Sequence, residues 1–566
     1  MNIENLAFYW STIFVRRLFE SGVRHAIISP GSRSTPLTLA FAAHPGISKH
    51  IVIDERSAAF IALGIAKSSG VPAVLVCTSG TAVANYFPAV IEASESNIPL
   101  IILSADRPAS LIHIGSSQTI DQQNIYGTYT RFFHYMGEPV DNDRELARVR
   151  KAADQAYYFA THKAGVAHIN LPFKKPFEPS KKFYSSIANE NQEILNLFKE
   201  EDPVTEHTIT TLNDHIWSNL VSAEKPIIIV GPRTVADAND SIFKLAECLK
   251  APILVEAGCY LPEHEHIISS VDGYIRNEKN IDTLRPDLII RFGTQTVSKG
   301  LFSLLRGNLD IPQISFFDHD SWSDEPISAS MSVALRGDID ISKISGAAPK
   351  KWLKTWKKAE KEFRKSRKET LSKSSTLTDG YVFHTLQKLI TEEMFVMLSN
   401  SFPVRDMNLF QDHNPNNFVN RGAAGIDGIT STAIGVAIDK QTPGVLFTGD
   451  LAFIHDSNAL RSLSELNHPL LIVVLNNGGG TIFKSLPIHQ LKDVYQTYFE
   501  TPQHVSFTHL CRAHGIKHTL VTKRDQLEDS FRRALEDQKS IVIECITDAD
   551  RSMKERTALW NTELPL

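Results

Sequence analysis

The sequence predicts an α/β protein of three domains, each built on a parallel central sheet flanked by helices. Three observations lead there. At 566 residues the chain is too long for a single hydrophobic core. Short continuous apolar runs recur with helical patterns between them, as strands buried on both faces of a parallel sheet read. No short-period repeat is present, which excludes solenoids and propellers.

The first block, 1–180, alternates throughout. HAIIS (25–29) is followed by a Gly/Ser/Pro turn and a helix opening near Pro36, and HIVID (50–54) precedes an Ala/Gly-rich helix from Ser57. AVLVCTS (73–79) leads into a helix from Thr81, PLIILSAD (99–106) follows, and AGVAHINLPF (164–173) closes the block. Residues 180–205 are polar and acidic, include Pro203, and read as a linker. The second block, 181–345, carries KPIIIVGP (225–232), APILVEA (251–257), DLIIRFG (287–293) and PQISFFD (312–318). The third, 346–566, opens on a basic stretch at 349–375. There Trp352, Trp356, Ala359 and Phe363 recur at helical spacing, so an amphipathic helix with its lysines in water explains it better than a nucleic-acid contact does. GVLFTGD (444–450), a helix to about Glu465 and PLLIVVLNN (469–477) complete the pattern.

Composition narrows the function classes. Apolar residues make up 42% and charged residues 22%, ordinary for a globular chain. A net charge of −5 supplies no basic field for nucleic acid or an anionic membrane. Cys77, Cys248, Cys259, Cys511 and Cys545 lie far apart without a CxxC pair, which fits a reducing compartment. The N-terminus lacks a signal peptide's pattern, and no apolar run reaches the roughly 20 residues of a membrane helix. A cytoplasmic protein without membrane insertion is expected.

Asp450 stands just beyond one predicted strand, and Asn477 just beyond the next, 27 residues on. One strand–helix–strand unit fills that interval, so both side chains should leave a parallel sheet at the carboxyl edge, where such sheets bind ligands. A carboxylate, an amide oxygen and the carbonyls of Gly478–Gly480 suit a hard cation such as Mg²⁺, and a glycine-rich turn lets backbone N–H groups approach a phosphate. Taken singly, Gly449-Asp450 and Asn476-Asn477-Gly478 are more simply turns. Their joint spacing points to a metal-bridged diphosphate site. Glu55, between a strand and an Ala-rich helix, is either a first-turn carboxylate favoured by the helix dipole or one presented to a heterocycle nitrogen. Spacing leaves both open.

The Gly449-Asp450 and Asn476-Asn477 pair resembles the diphosphate fingerprint of thiamine-diphosphate enzymes, and Glu55 sits where their cofactor-activating glutamate sits. SPGSRSTPL (29–37), DERSAAFIALG (54–64), TSGTAVANYFPAVIEA (78–93), SADRP (104–108), NRGAAGIDG (420–428) and NNGGGTIF (476–483) are similar to one subfamily, over essentially the whole chain. That subfamily acts in menaquinone biosynthesis. Leu451, where most of the wider family has a second glycine, is usual in it. Gly478 stands where another Asn is common, and Ser117 and Gly300 stand where relatives can carry Asn and Arg.

The resemblance implies the thiamine-diphosphate-binding fold, a pyrimidine-binding first domain and a diphosphate-binding third. It implies thiamine diphosphate with Mg²⁺ or Mn²⁺ as cofactors, decarboxylation of 2-oxoglutarate, and conjugate addition of the resulting carbanion to isochorismate. Glu55 would be catalytic; Asp450, Asn477 and Gly479 would hold the metal. Gly449, Ile426, Ile482, Phe483 and Leu486 would contact the cofactor. Both substrates are dianions, so arginines should line the site: Arg33, Arg107, Arg405 and Arg421, with Ser32, Gln118, Lys299 and Ser401 at further matching positions. Family members form homo-oligomers, dimers or tetramers, with active sites between chains. The nearest rival is another thiamine-diphosphate enzyme, such as an acetolactate-synthase or decarboxylase relative. A nucleotide binder is disfavoured, since no GxGxxG or GxxxxGK[ST] follows a strand.

Overall fold

The computed structural model describes residues 3–197, 209–235, 239–294, 296–318, 323–335, 337–341 and 350–566. They gather into two compact units: Met1–Thr205 with Gly422–Lys440, and Glu206–Arg421 with Gln441–Leu566.

The first unit holds a six-stranded sheet made of β1 (His25–Ile28), β2 (Ser48–Ile51), β3 (Ala73–Cys77), β4 (Leu100–Asp106), β5 (Thr130–Tyr135) and β6 (Val166–Pro172). Its order is β2-β1-β3-β4-β6-β5 and every pairing is parallel. β3, β4 and β6 are buried along their length, as their unbroken apolar runs require. β2 is an edge strand, and Ile51 and the following Ile53 are 53% and 74% exposed.

Helix Glu55–Ser69 is buried from Ser57 to Ser68. Helix Ile429–Lys440, far along the chain, crosses it at a glycine pair. A Cβ on Gly64 would lie 2.1 Å from the Thr432 carbonyl oxygen, and one on Gly435 2.1 Å from that of Ile61. The strand preceding this segment belongs to the other unit, yet Glu92 anchors the segment in the first by accepting the N–H groups of Gly422 (2.9 Å) and Ala423 (2.7 Å).

The linker expected at 180–205 is corrected. Residues Lys181–Leu197 are α-helical, with Phe183 and Tyr184 against Phe8, Ile187 buried, and buried Asn191 donating to the Ala43 carbonyl. A narrow apolar stripe amid polar residues sufficed to dock it. Residues 198–205 lie outside the described ones.

The second unit holds two further parallel sheets and a short pair, β7 (Ile209–Thr210) with β14 (Asp338–Ile339). One sheet comprises β8 (Pro226–Val230), β9 (Ile253–Val255), β10 (Ile267–Ile268), β11 (Leu288–Phe292), β12 (Gln313–Phe317) and β13 (Met331–Ala334), in the order β10-β9-β8-β11-β12-β13. The other comprises β15 (Phe395–Leu398), β16 (Asn417–Val419), β17 (Gly444–Gly449), β18 (Leu470–Asn476), β19 (Lys517–Val521) and β20 (Ile541–Ile546), in the order β16-β15-β17-β18-β20-β19.

The basic stretch is helix Lys350–Ser372, and Trp352, Trp356, Ala359 and Phe363 are all buried in the unit's core. The helix expected to run to Glu465 is broken into Asp450–His455, a 3₁₀ turn at Ser457–Ala459, and Leu460–Leu463. No described helix is long and apolar enough to cross a membrane.

Candidate cofactor and substrate site

Four adjacent strands of the third sheet end at one carboxyl edge, and each delivers a candidate residue. β16 leads to Arg421, β15 to Ser401 and Arg405, β17 to Asp450 and β18 to Asn477. The parallel register sets Gly449 opposite Leu475, so Asp450 and Asn477 leave neighbouring strands close together.

Asp450 opens a helix and is buried. Its Oδ2 accepts the N–H groups of Gly479 (2.7 Å) and Gly478 (3.1 Å), and its Oδ1 accepts that of Leu451 (2.7 Å). Burial pushes the carboxyl up to about 6, against the pull of those three N–H groups, and the Asp379 charge raises it further. Gly478 and Gly479 have φ of +87° and +119°, the left-handed region that glycine adopts freely. A Cβ on Gly449 or Gly478 would meet nothing within 4 Å, so both border open space.

The Asn477 side chain has a fixed sense. Its Nδ2 donates to Asp379 Oδ2 at 3.1 Å, which turns Oδ1 away from that carboxylate. Asp379 in turn accepts from Thr547 Oγ1 (2.6 Å) and from Arg556 Nη2 (2.7 Å), and Arg556 also binds Asp406. Sequence reasoning missed Asp379, Asp406 and Arg556. Asp379 follows Thr378, whose side chain accepts the Tyr381 N–H, so it reads as an ordinary first-turn acid.

A cleft of about 740 Å³ in the same unit gathers Lys299, Arg405, Arg421, Ile482, Phe483 and Leu486, together with Arg276 and Trp560, which the sequence did not single out. Arg405 donates to the Ser401 carbonyl (2.6 Å) and Arg421 to Asn400 Oδ1 (2.9 Å). Ser401 has a φ of +72° at the start of helix Phe402–Phe410. Burial, then the nearby Arg421 charge, lowers the Arg405 guanidinium below its ordinary value.

Lys299 starts helix Lys299–Gly307, capped by Ser298. Buried Glu256 holds that start by accepting the Ser298 (2.6 Å) and Val297 (3.0 Å) N–H groups. Phe483 packs edge-on to Phe499, and Leu486 is 50% exposed.

The first sheet repeats the device. β2 leads to Glu55, β1 to Ser32 and Arg33, β3 to Ser79 and β4 to Arg107, again four adjacent strands. Asp54 caps the Glu55 helix through the Arg56 N–H (3.0 Å), and Glu55 Oε2 accepts from Asn85 Nδ2 at 3.4 Å. Arg33 is buried, donates to the Phe173 carbonyl (2.7 Å) and lies 4.7 Å over the Phe177 ring; burial and then the Arg107 charge lower its pKa. Arg107 donates to Ser79 Oγ (2.8 Å) and to the Ser117 carbonyl (2.9 Å), so position 117 contributes backbone here. Ser32 and Gln118 are exposed, the latter at φ +52°. Ile426 lies in this unit ahead of helix Ile429–Lys440, 36% exposed, whereas Ile482, Phe483 and Leu486 belong to the other unit.

The chain matches two family models, "Thiamine pyrophosphate enzyme, N-terminal TPP binding domain" over residues 10–125 and "Thiamine pyrophosphate enzyme, C-terminal TPP binding domain" over 404–545. Its class is therefore that of the thiamine-diphosphate enzymes. Curated relatives are narrower. The 2-succinyl-5-enolpyruvyl-6-hydroxy-3-cyclohexene-1-carboxylate synthase of Bacillus velezensis is 34% identical over 547 residues, 94% of each chain. Those of Gloeothece citriformis and Crocosphaera subtropica are each 36% identical, covering 93% and 99% of this chain and 93% and 97% of their own. The chain belongs to the 2-succinyl-5-enolpyruvyl-6-hydroxy-3-cyclohexene-1-carboxylate synthase family.

Proposed function

We propose that this enzyme decarboxylates 2-oxoglutarate and adds the resulting carbanion to isochorismate, the menaquinone-pathway reaction of its family. The observation that carries the reading past the cofactor class is the cleft in which Arg405, Arg421 and Lys299 meet Ile482, Phe483 and Leu486. Two dianionic substrates need that cationic wall, and a pyruvate-type substrate does not.

The residues fit the cofactor. Buried Asp450 has its carboxyl raised by burial, the condition a divalent cation relieves, and Gly449 and Gly478 leave room for a diphosphate. Asp450, the Oδ1 of Asn477 and the Gly479 carbonyl would hold Mg²⁺ or Mn²⁺, with Asp379 orienting the amide. Bound thiamine diphosphate would supply the electron sink for decarboxylation. Glu55 would hold and move a proton at a pyrimidine nitrogen. Ile426, Ile482, Phe483 and Leu486 would pack the cofactor. Arg33, Arg107, Arg405, Arg421 and Lys299, with Ser32, Gln118 and Ser401, would hold and orient the substrate carboxylates.

The division 1–180, 181–345 and 346–566 is kept as a functional one, pyrimidine-binding, central and diphosphate-binding, although helix Lys181–Leu197 packs with the first block. A homo-oligomer, at least a dimer, would bring Glu55 and Asp450 of different chains to one cofactor; exposed Ile51 and Ile53 beside Glu55 suit such an interface. Five free cysteines, none disulfide-bonded, suit the cytoplasm.

The test supplies 2-oxoglutarate, isochorismate, thiamine diphosphate and Mg²⁺ and follows CO₂ release and adduct formation. Turnover of that pair is expected. No turnover, with turnover of pyruvate instead, would move the function to an acetolactate-synthase or decarboxylase type.

A further inference from the structure

Arg276 lies in the turn before helix Glu278–Leu284, in the wall of the cleft that holds Arg405, Arg421 and Lys299. Its guanidinium is fixed on two sides. Asp272 accepts from Nε (3.1 Å) and Nη2 (2.6 Å), and the Trp560 ring stacks 4.2 Å from Cζ. Asp272 is itself held in place, accepting the Gly300 N–H at 3.0 Å and the Ser298 hydroxyl. Asp272 therefore uses the Nε edge of the guanidinium. The end-on edge, formed by Nη1 and the second N–H of Nη2, has no partner among the described residues, and the side chain is 19% exposed. An arginine whose one edge is clamped and whose other edge is bare is pre-organised for a second, bidentate carboxylate.

The lining is cationic: Arg276, Lys299, Arg405 and Arg421 line the cleft, against one carboxylate, Glu325, in its wall. Gly300 explains how Arg276 reaches this place. A Cβ at 300 would lie 2.7 Å from Ile275 Cγ1 and 3.2 Å from Arg276 Cγ, so the stem of Arg276 fills the space a side chain there would take.

We infer that Arg276, braced by Asp272 and Trp560, binds a carboxylate of a dicarboxylate substrate and sets the preference for that dicarboxylate over a monocarboxylate in its place. The inference deepens the proposed function and rests on it for the identity of the substrates, but not for the chemical class bound.

The decisive experiment uses the full chain with thiamine diphosphate and Mg²⁺. Arg276→Met keeps the stem and removes the charge. It should raise KM for one of the two dicarboxylates by roughly 10-fold or more, the scale of a lost charge-assisted hydrogen bond, with kcat changed far less. Whether 2-oxoglutarate or isochorismate responds identifies the carboxylate, and Arg276→Lys should recover part of the loss. Both KM values within twofold of wild type would overturn the inference.

Phenylglyoxal labelling of the wild-type chain, mapped by mass spectrometry, keeps the test alive if a variant does not fold. Succinate, 2-oxoglutarate or isochorismate should protect Arg276 and acetate should not; equal labelling with and without all three dicarboxylates would refute it. Wild-type failure to turn over the substrate pair would sink the proposed reaction, whereas protection by succinate would still stand for Arg276.

Discussion

Replacing Arg556 by Met tests whether the polar cluster behind Asn477 is held by charge. Arg556 is 1% exposed and bridges two carboxylates of at most 1% side-chain exposure. It donates to Asp406 from Nε (2.7 Å) and Nη2 (2.5 Å) and to Asp379 from Nη2 (2.7 Å), with Phe402 3.7 Å from Cζ. Met preserves most of the stem but strands both carboxylates in a dry core. Breaking a buried pair from one side costs roughly 3–5 kcal/mol.

The sign with pH is a second signature. Burial already raises the Asp406 carboxyl to about 6 against the pull of Arg556; losing the cation raises it further, so the folded state binds more protons than the unfolded one and the deficit shrinks as pH falls. Adding Asp406→Asn leaves Asp379 to Thr547 and Asn477 and should recover most of the loss. Urea midpoints with their slopes, measured at pH 7 and pH 5, read all of this. A loss below about 1 kcal/mol at pH 7, or one that grows toward pH 5, would refute the reasoning.

Glu55→Gln should fold and retain thiamine diphosphate yet lose roughly 10²- to 10⁴-fold in kcat, the scale of a lost acid–base group; a wild-type rate in steady-state assay rules out that role. Asp450→Ala should abolish Mg²⁺-dependent cofactor retention, seen by equilibrium dialysis, and unchanged affinity counts against the metal site. Gly435→Val places methyl groups beyond a Cβ already 2.1 Å from the Ile61 carbonyl oxygen and should cost about 1–3 kcal/mol or more in thermal unfolding; an unshifted transition shows the crossing to be loose. Burial holds His168 down to about 3, so it stays neutral in the fold while the unfolded chain takes a proton near the ordinary histidine value. Its contribution is full above about pH 6.5 and falls by about 2 kcal/mol by pH 5. His168→Gln should flatten that slope, and an unchanged pH profile contradicts it.

Strand ends were the legible part of the site. GVLFTGD and PLLIVVLNN read as strands because both are buried on two faces, and a parallel pair must release Asp450 and Asn477 at one edge. Glu55 was legible as a helix start, but the same pattern serves a mere dipole carboxylate, so its chemistry came from resemblance. Arg556 and Arg276 were not legible. The first sits in the polar helix Ala549–Trp560 and the second in a turn, and only the fold brings Asp379, Asp406, Asp272 and Trp560 to them.

The joining of 422–440 to the first unit was hidden in a different way. Periodicity shows that a helix is amphipathic or buried, not which element covers it. A usable signal was present nonetheless: Gly64 and Gly435 each interrupt an otherwise good helix at a cost of about 1 kcal/mol, which is repaid only where two backbones meet.

The directions of the shifted pKa values tie the site's two halves together. In the second unit burial raises the Asp450 carboxyl and lowers the Arg405 guanidinium, so each charged form is held where it is least comfortable. A cation at the first and a carboxylate at the second relieve opposite penalties, and neither ligand substitutes for the other. Selectivity follows from the same asymmetry. A monocarboxylate leaves at least one guanidinium of the cleft without a carboxylate, and a desolvated donor that loses an acceptor costs more than a formed pair returns. Discrimination in the proposed reaction therefore rests less on how well the right substrate fits than on what the wrong one leaves exposed in the cleft. That is why the braced, half-paired Arg276 matters: it cannot relax into another partner when the second carboxylate is missing.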